Sequence, residues 1–337
     1  MKNLLQSLTF CLLTAAWINS PMFANVPIPE VSVPESASTK HLNEFSWYNE
    51  APERLAIDSR LKHQSFFSQR NQTDVGYYLY LPEDYYKSTE SGRRYPTIYM
   101  LHGGRPGAEY KGTGMFPFFQ KGMADGFIPQ CIYVIVNGGH LSHYDHQGSY
   151  GEQAFLELIN HIDRTYRTIS DRAGRVVKGG SQGGRGAARY IFKHPDLFAT
   201  AISVAAGHQW ENHISHNNGV ESQYLTIDDP KNNTWDLAMA YASRNEAPEV
   251  NLMIVIGAED GNYESNETYH HFLEELEIPH TFEVVTDQGH GVQIDEGDIG
   301  LKMLQFLKQS LKLQGVGDRG SFRIPFRIDP SAEPYAP

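Results

Sequence analysis

Six short apolar runs, separated by segments with helical character, restrict this chain to a layered α/β architecture. The runs are Tyr95–Leu101, Cys131–Val136, Arg175–Gly179, Ala199–Ala206, Asn251–Gly257 and Thr281–Val285. Each has strand length, and none is long enough for a helix of ordinary size. Between and after them lie Gly114–Gly126, Glu152–Arg167, Gly183–Phe192, Glu267–Glu277 and Ile299–Leu311, all read as helices. In Glu152–Arg167 the residues Phe155, Leu158, Ile159, Ile162 and Tyr166 recur at helical spacing, which predicts one stripe packed on a sheet. Two strand-like runs, Leu61–Gln69 and Val75–Leu81, precede the series and are joined by the turn-forming Arg70-Asn71-Gln72-Thr73-Asp74. Strand and helix in alternation predict a mostly parallel central sheet with helices on both faces. Many doubly wound folds share that pattern, so it fixes the class and not the function.

The alternating region covers residues 61–311 and is read as the catalytic domain. Residues 208–248 interrupt it with a polar and aromatic excursion, read either as a lining of the cleft or as a structural loop with small helices. Before it, Met1-Lys2-Asn3 and an apolar run to Trp17 have the pattern of a secretory signal, assigned to residues 1–24, with a Pro- and Ser-rich arm at 25–60. Residues 312–337 are read as a surface tail. The expected location is therefore secreted or periplasmic, without stable membrane insertion. Loss of Cys11 with the signal would leave Cys131 alone, a buried and inert thiol in its apolar run. The formal charge of −12 disfavours nucleic acid as a partner.

The chemistry concentrates in Val176-Val177-Lys178-Gly179-Gly180-Ser181-Gln182-Gly183-Gly184. A serine on a tight strand-to-helix turn stands above the sheet, and glycines two residues to either side let the crossing backbones pass. Ser181 would also open a helix, where backbone amides favour developing negative charge. A hydroxyl needs a base, and His290 in Gly289-His290-Gly291 follows the last strand, on the same edge. The orienting acid should lie between them in sequence. Asp260 fits, directly beyond the strand ending at Gly257; Glu259 is the nearest competitor and Asp287 another. An oxyanion hole would take one amide from Gln182 and one near Gly103 or Gly104, in the turn His102-Gly103-Gly104.

With these elements in this order, the chain resembles the esterase family that includes feruloyl, acetyl-xylan and enterochelin esterases. The resemblance covers residues 60–311 and rests on Leu101-His102-Gly103-Gly104, the Ser181 elbow with Gly184, Gly257-Ala258-Glu259-Asp260 and Gly289-His290. It implies an α/β-hydrolase fold, ester hydrolysis through a Ser-Asp-His triad, and no cofactor. Gly180, where a larger side chain is common, and Lys178 inside the elbow strand depart from the family pattern.

The loop Gly138–His146 carries three imidazoles and a carboxylate that could ligate a metal, but a substrate-lining role is preferred and no metal is expected. His140, His143, Tyr144, Trp210 and Trp235 are taken as substrate-binding residues for a carbohydrate or phenolic ester. An acyltransferase or peptidase on the same scaffold, and a non-catalytic binding protein, are the rival functions.

Overall fold

The computed structural model describes residues 45–87, 92–141, 143–146, 148–208, 232–292 and 297–313. The signal at 1–24, most of the arm, Trp210 and nearly all of the tail lie outside them. The described residues fall within one unit, Glu35–Pro337.

Strands β1 (Lys62–Ser68) and β2 (Thr73–Tyr80) form the opening antiparallel hairpin, with Phe67 paired to Asp74 at the turn end. Strand β3 (Thr97–Leu101) follows, then helix α1 (Phe116–Ala124), β4 (Ile132–Val136) and helix α2 (Gly151–Thr165). Next come β5 (Arg175–Gly180), α3 (Gln182–Lys193), β6 (Thr200–Val204) and α4 (Thr234–Ala242). The chain closes with β7 (Asn251–Gly257), α5 (Tyr263–Glu275), β8 (His280–Val285) and α6 (Gly297–Leu313). Across the sheet the order is β1-β2-β4-β3-β5-β6-β7-β8; β2 runs antiparallel to both neighbours and β3 through β8 are parallel. This is the α/β-hydrolase fold.

The central strands are buried on both sides, so their apolar residues divide between two cores at a period of two. Tyr99, Leu101, Val134, Val177 and Ile254 point to one face, against Phe155, Leu158, Ile159 and Ile162 of α2 and Tyr190 of α3. Ile98, Met100, Tyr133, Val176 and Met253 point to the other, against Phe116 and Phe119 of α1 and Met303 and Leu307 of α6. The stripe expected on Glu152–Arg167 is therefore the one that packs, except that Tyr166 lies just past the helix end. Cys131 is a buried free thiol whose pKa burial pushes up.

Helix boundaries shift where local hydrogen bonds outrank periodicity. A 3-10 turn, Glu109–Met115, precedes α1, and Pro117 sits in its first turn, where no intrahelical partner is lost. Helix α5 starts at Tyr263, four residues earlier than expected, because Tyr263 N–H donates back to the Asp260 carbonyl. It ends in a Schellman pattern: Ile278 N–H reaches the Leu273 carbonyl, Glu277 N–H reaches Glu274, and Glu277 takes a left-handed φ of 55°. The end of α5 is thereby folded onto the start of β8.

The arm is anchored where it is described. Gly76 N–H donates to the Trp47 carbonyl, and the buried Glu109 carboxylate accepts from Asn49 N–H, from the Asn49 and Asn137 amides and from the His63 ring. Among the described residues no helix is long and apolar enough to cross a membrane.

Candidate active site

Strand β5 delivers Ser181 to the C-terminal edge of the sheet and α3 begins at the next residue. The reversal forces Ser181 to φ 55°, ψ −119°, a conformation that costs a non-glycine residue of order 1–3 kcal/mol and occurs where surroundings impose it. The surroundings here are backbone. A Cβ on Gly179 would lie 2.0 Å from the Gly183 carbonyl oxygen, and one on Gly183 would lie 2.3 Å from that of Leu101. Ser181 N–H is held by the Val204 carbonyl at 2.8 Å.

Three residues from separate loops then meet. His290 Nε2 is 3.0 Å from Ser181 Oγ, and His290 Nδ1 is 3.0 Å from Asp260 Oδ2. Asp260 is buried, and its other oxygen accepts from Asn262 N–H at 2.9 Å. The loop carrying His290 is pinned to the end of β7, since Glu259 N–H donates to the Gln288 carbonyl and a Cβ on Gly257 would strike that same oxygen at 2.2 Å. Asp287 and Glu259, the alternatives for the acid, are exposed and no hydrogen bond joins either carboxylate to His290.

On the other side of Ser181 runs the turn His102-Gly103-Gly104. A Cβ on Gly103 would sit 3.0 Å from the Gly180 carbonyl oxygen and 3.2 Å from Ser181 Cβ, tighter than an ordinary contact, and Gly104 has φ 70°. Gln182 is the first residue of α3, directly after Ser181, so its amide stands at the helix start beside the serine. Beneath the turn, Gly138 N–H donates to His102 Nε2 at 3.0 Å, so His102 carries its proton on Nδ1, 3.1 Å from the Gly103 carbonyl. Burial lowers the His102 pKa to about 4 and keeps the ring neutral. His102 thus holds the turn.

The residues expected to line a substrate cleft fare differently. Trp235 is in the core, between Tyr269 and Phe272, with its indole N–H on the His208 carbonyl. The reason is α4: Asn233 caps its first turn and the helix packs against α3, turning Trp235 inward. His143 and Tyr144 are also buried. His143 Nε2 donates to the His102 carbonyl at 2.9 Å, its own carbonyl accepts from Arg189 and the Tyr190 hydroxyl, and the Arg189 guanidinium lies 3.7 Å over the Tyr144 ring. Asp145 accepts from the first amides of α2, Glu152 and Gln153. This loop braces the oxyanion turn from behind, and the sequence reading of these three as substrate contacts is corrected. His140 remains half-buried, beside Phe45; Trp210 and the side chain of His146 lie outside the described residues.

Of the two departures from the family pattern, Gly180 has open space where a Cβ would be. Lys178 is buried on the α1/α6 face, no carboxylate among the described residues pairs with it, and burial pulls its pKa down to about 7. A lysine held below its ordinary 10.5 destabilises the fold most at and below neutral pH, a cost that fades as pH rises toward that value. Lys178→Met is accordingly expected to stabilise the protein by on the order of 2–4 kcal/mol at pH 7 and by much less at pH 10. Urea unfolding at the two pH values measures it, and an equal gain at both would show that burial of the charge is not the cause.

The comparisons with known proteins bear on the family and the fold. The Esterase family model matches residues 68–296, which is more than half of the chain. The chain belongs to the Esterase family. An esterase of Mycobacterium tuberculosis is 31% identical over 159 residues, 45% of this chain and 33% of the relative, so the chain spans about a third of that relative's length. A ferulic acid esterase structure superposes with TM-score 0.58 at 22% identity, covering 75% of this chain and 97% of that one. A fluorophosphonate-binding serine hydrolase of Staphylococcus aureus gives TM-score 0.60 at 16% identity, covering 75% and 97%. These likenesses show the α/β-hydrolase fold.

Proposed function

We propose that this protein is a secreted or periplasmic serine carboxylic-ester hydrolase with Ser181, His290 and Asp260 as its catalytic triad. The observation that carries the reading is the continuous chain Ser181 Oγ–His290–Asp260, two contacts of 3.0 Å each. His290 Nε2 takes the Ser181 proton as Oγ attacks the ester carbonyl, and the oxyanion is received by amides of Gln182 and of the Gly103-Gly104 turn. Collapse expels the alcohol, which leaves with the proton from His290, and an acyl group stays on Ser181. Water, deprotonated by His290, then releases the acid and restores the serine. Asp260 holds Nδ1–H toward itself, fixing the tautomer and stabilising the imidazolium. The location rests on Lys2 and the apolar run that follows it.

The substrate is an ester of a phenolic acid or carbohydrate. Support comes from the family resemblance and from the ferulic acid esterase neighbour; with Trp235, His143 and Tyr144 buried, a stacking platform has no support from those residues. Wild-type protein is expected to be labelled by a fluorophosphonate at Ser181. Across hydroxycinnamate esters, acetylated sugars and straight-chain acyl esters, kcat/KM should favour the first two classes by tenfold or more over chains of eight carbons and longer, about 1.4 kcal/mol of differential transition-state binding. Preference for long chains overturns the substrate class and leaves the hydrolase standing; absence of labelling overturns the nucleophile. Product formation that requires an added acceptor alcohol would mark an acyltransferase.

A further inference from the structure

We propose that His270, His271 and Glu274 on helix α5 form a binding site for one divalent transition-metal ion of the zinc class, on the opposite edge of the sheet from Ser181. One nitrogen from each imidazole and one carboxylate oxygen lie within 4.8 Å of one another. The spacing comes from the helix, because residues three and four apart share a face and Glu274 stands at those offsets from His271 and His270. His271 Nδ1 is 3.0 Å from Glu274 Oε2, and His270 Nε2 is 3.7 Å from Glu274 Oε1. Ligand atoms about 2.0–2.1 Å from a tetrahedral ion stand about 3.3 Å apart, midway between those two separations. The exposed His271 ring can turn to close the difference.

Hydrogen bonding further along the chain sets the His270 tautomer. His280 Nδ1 lies 2.8 Å from the Ile278 carbonyl, which can only accept, so that nitrogen carries the proton and His280 Nε2 is bare. His280 Nε2 lies 2.7 Å from His270 Nδ1, so the His270 proton must sit on Nδ1. His270 Nε2 therefore presents a lone pair to a carboxylate oxygen, two acceptors facing each other with no hydrogen between them. A cation is what that pair lacks. Stacking on Phe282 at 4.4 Å holds the ring in this orientation. The His280 contact is the outer hydrogen bond that metal-ligating imidazoles usually make through their second nitrogen. Two imidazoles and one carboxylate suit zinc, nickel or copper and not calcium or magnesium, which take oxygen.

His280 opens β8, paired with Leu252 near the start of β7, so the site lies at the end of the sheet away from catalysis. An ion there would clamp α5 to itself and, through His280, to the strand at the sheet's edge. The proposal does not depend on the hydrolase reading. Its test is calorimetric titration of Zn²⁺ into chelator-stripped full chain, with Tm recorded alongside. One ion should bind with micromolar Kd, and Tm should rise by about 5 °C at about 100 times Kd. His271→Ala and Glu274→Gln change exposed residues and leave the fold and basal esterase turnover intact; each should weaken binding tenfold or more and remove most of the Tm rise. His280→Gln should weaken it as well, through loss of the set tautomer. Failure of Zn²⁺, Ni²⁺ and Cu²⁺ to bind the wild type, or binding that survives in the His271→Ala, Glu274→Gln double variant, overturns the proposal.

Discussion

Ser181→Ala is expected to reduce kcat for a small activated ester by roughly 10⁴- to 10⁶-fold, the range seen when the nucleophile of such a triad is removed. Its fold should survive. The hydroxyl fills no core space: Ser181 is only half-buried and its oxygen contacts His290. What the position demands of the fold is the backbone at φ 55°, and alanine carries the same Cβ into that conformation as serine does. The elbow is maintained by Gly179, Gly183 and the Ser181 N–H bond to Val204, all untouched by the change. Tm should thus stay within about 2 °C of wild type, since the substitution removes one solvent-accessible hydrogen bond. Initial rates and thermal unfolding on the same purified sample check both halves. Near-wild-type hydrolysis would remove Ser181 from the mechanism, whereas a large fall in Tm would make loss of rate uninformative.

How much of this site could be read from the chain varies with how local the cause is. The elbow was legible because the steric demand falls on residues two apart from the serine: Gly179 and Gly183 must lack a Cβ, and both are visible in the sequence. The sheet was legible because strands buried on both faces read as unbroken apolar runs, as in Ile132–Val136. The acid was harder. Glu259, Asp260 and Asp287 all sit near strand ends, and the turn that buries Asp260 while leaving its neighbours in solvent is made by Asn262 N–H and the crossing loop at Gln288. Nothing in residue spacing announces that. Trp235, His143 and Tyr144 failed for a related reason. An aromatic or imidazole in an irregular stretch reads as surface, yet α4 turns Trp235 into the core and the Arg189 guanidinium encloses Tyr144. Burial of polar and amphipathic side chains is decided by partners distant in sequence: Arg189 is 46 residues from the His143 carbonyl it meets. The α5 imidazoles went unnoticed because the tautomer that gives the site its logic depends on His280, ten residues on, past a Schellman turn.

The acid yields the sharpest comparison, because three carboxylates compete and the geometry chooses one. Asp260→Asn is expected to cut kcat by about 10⁴-fold, while Asp287→Asn and Glu259→Gln stay within about threefold of wild type. The size of the first effect follows from which way the new amide must face. Asp260 Oδ1 accepts from Asn262 N–H at 2.9 Å, and only an oxygen can keep that bond. The variant's oxygen therefore stays on Asn262, and its NH₂ group takes the place of Oδ2, 3.0 Å from His290 Nδ1. Facing a donor, Nδ1 becomes an acceptor and the ring proton moves to Nε2. That nitrogen then points an N–H at Ser181 Oγ and cannot accept the serine proton. Steric fit is preserved, so KM should change far less than kcat and Tm only modestly. Asp287 is a clean control: it is exposed, its φ of 59° is a conformation asparagine adopts readily, and no hydrogen bond links it to the His290 ring. Steady-state kinetics on the three variants, each with its unfolding curve, decide the matter. If Asp287→Asn proves the damaging change, the His290 loop supplies its own acid and the Asp260 contact is structural. Comparable losses from Asp260→Asn and Asp287→Asn would instead mean that His290 is oriented by both carboxylates in the working enzyme.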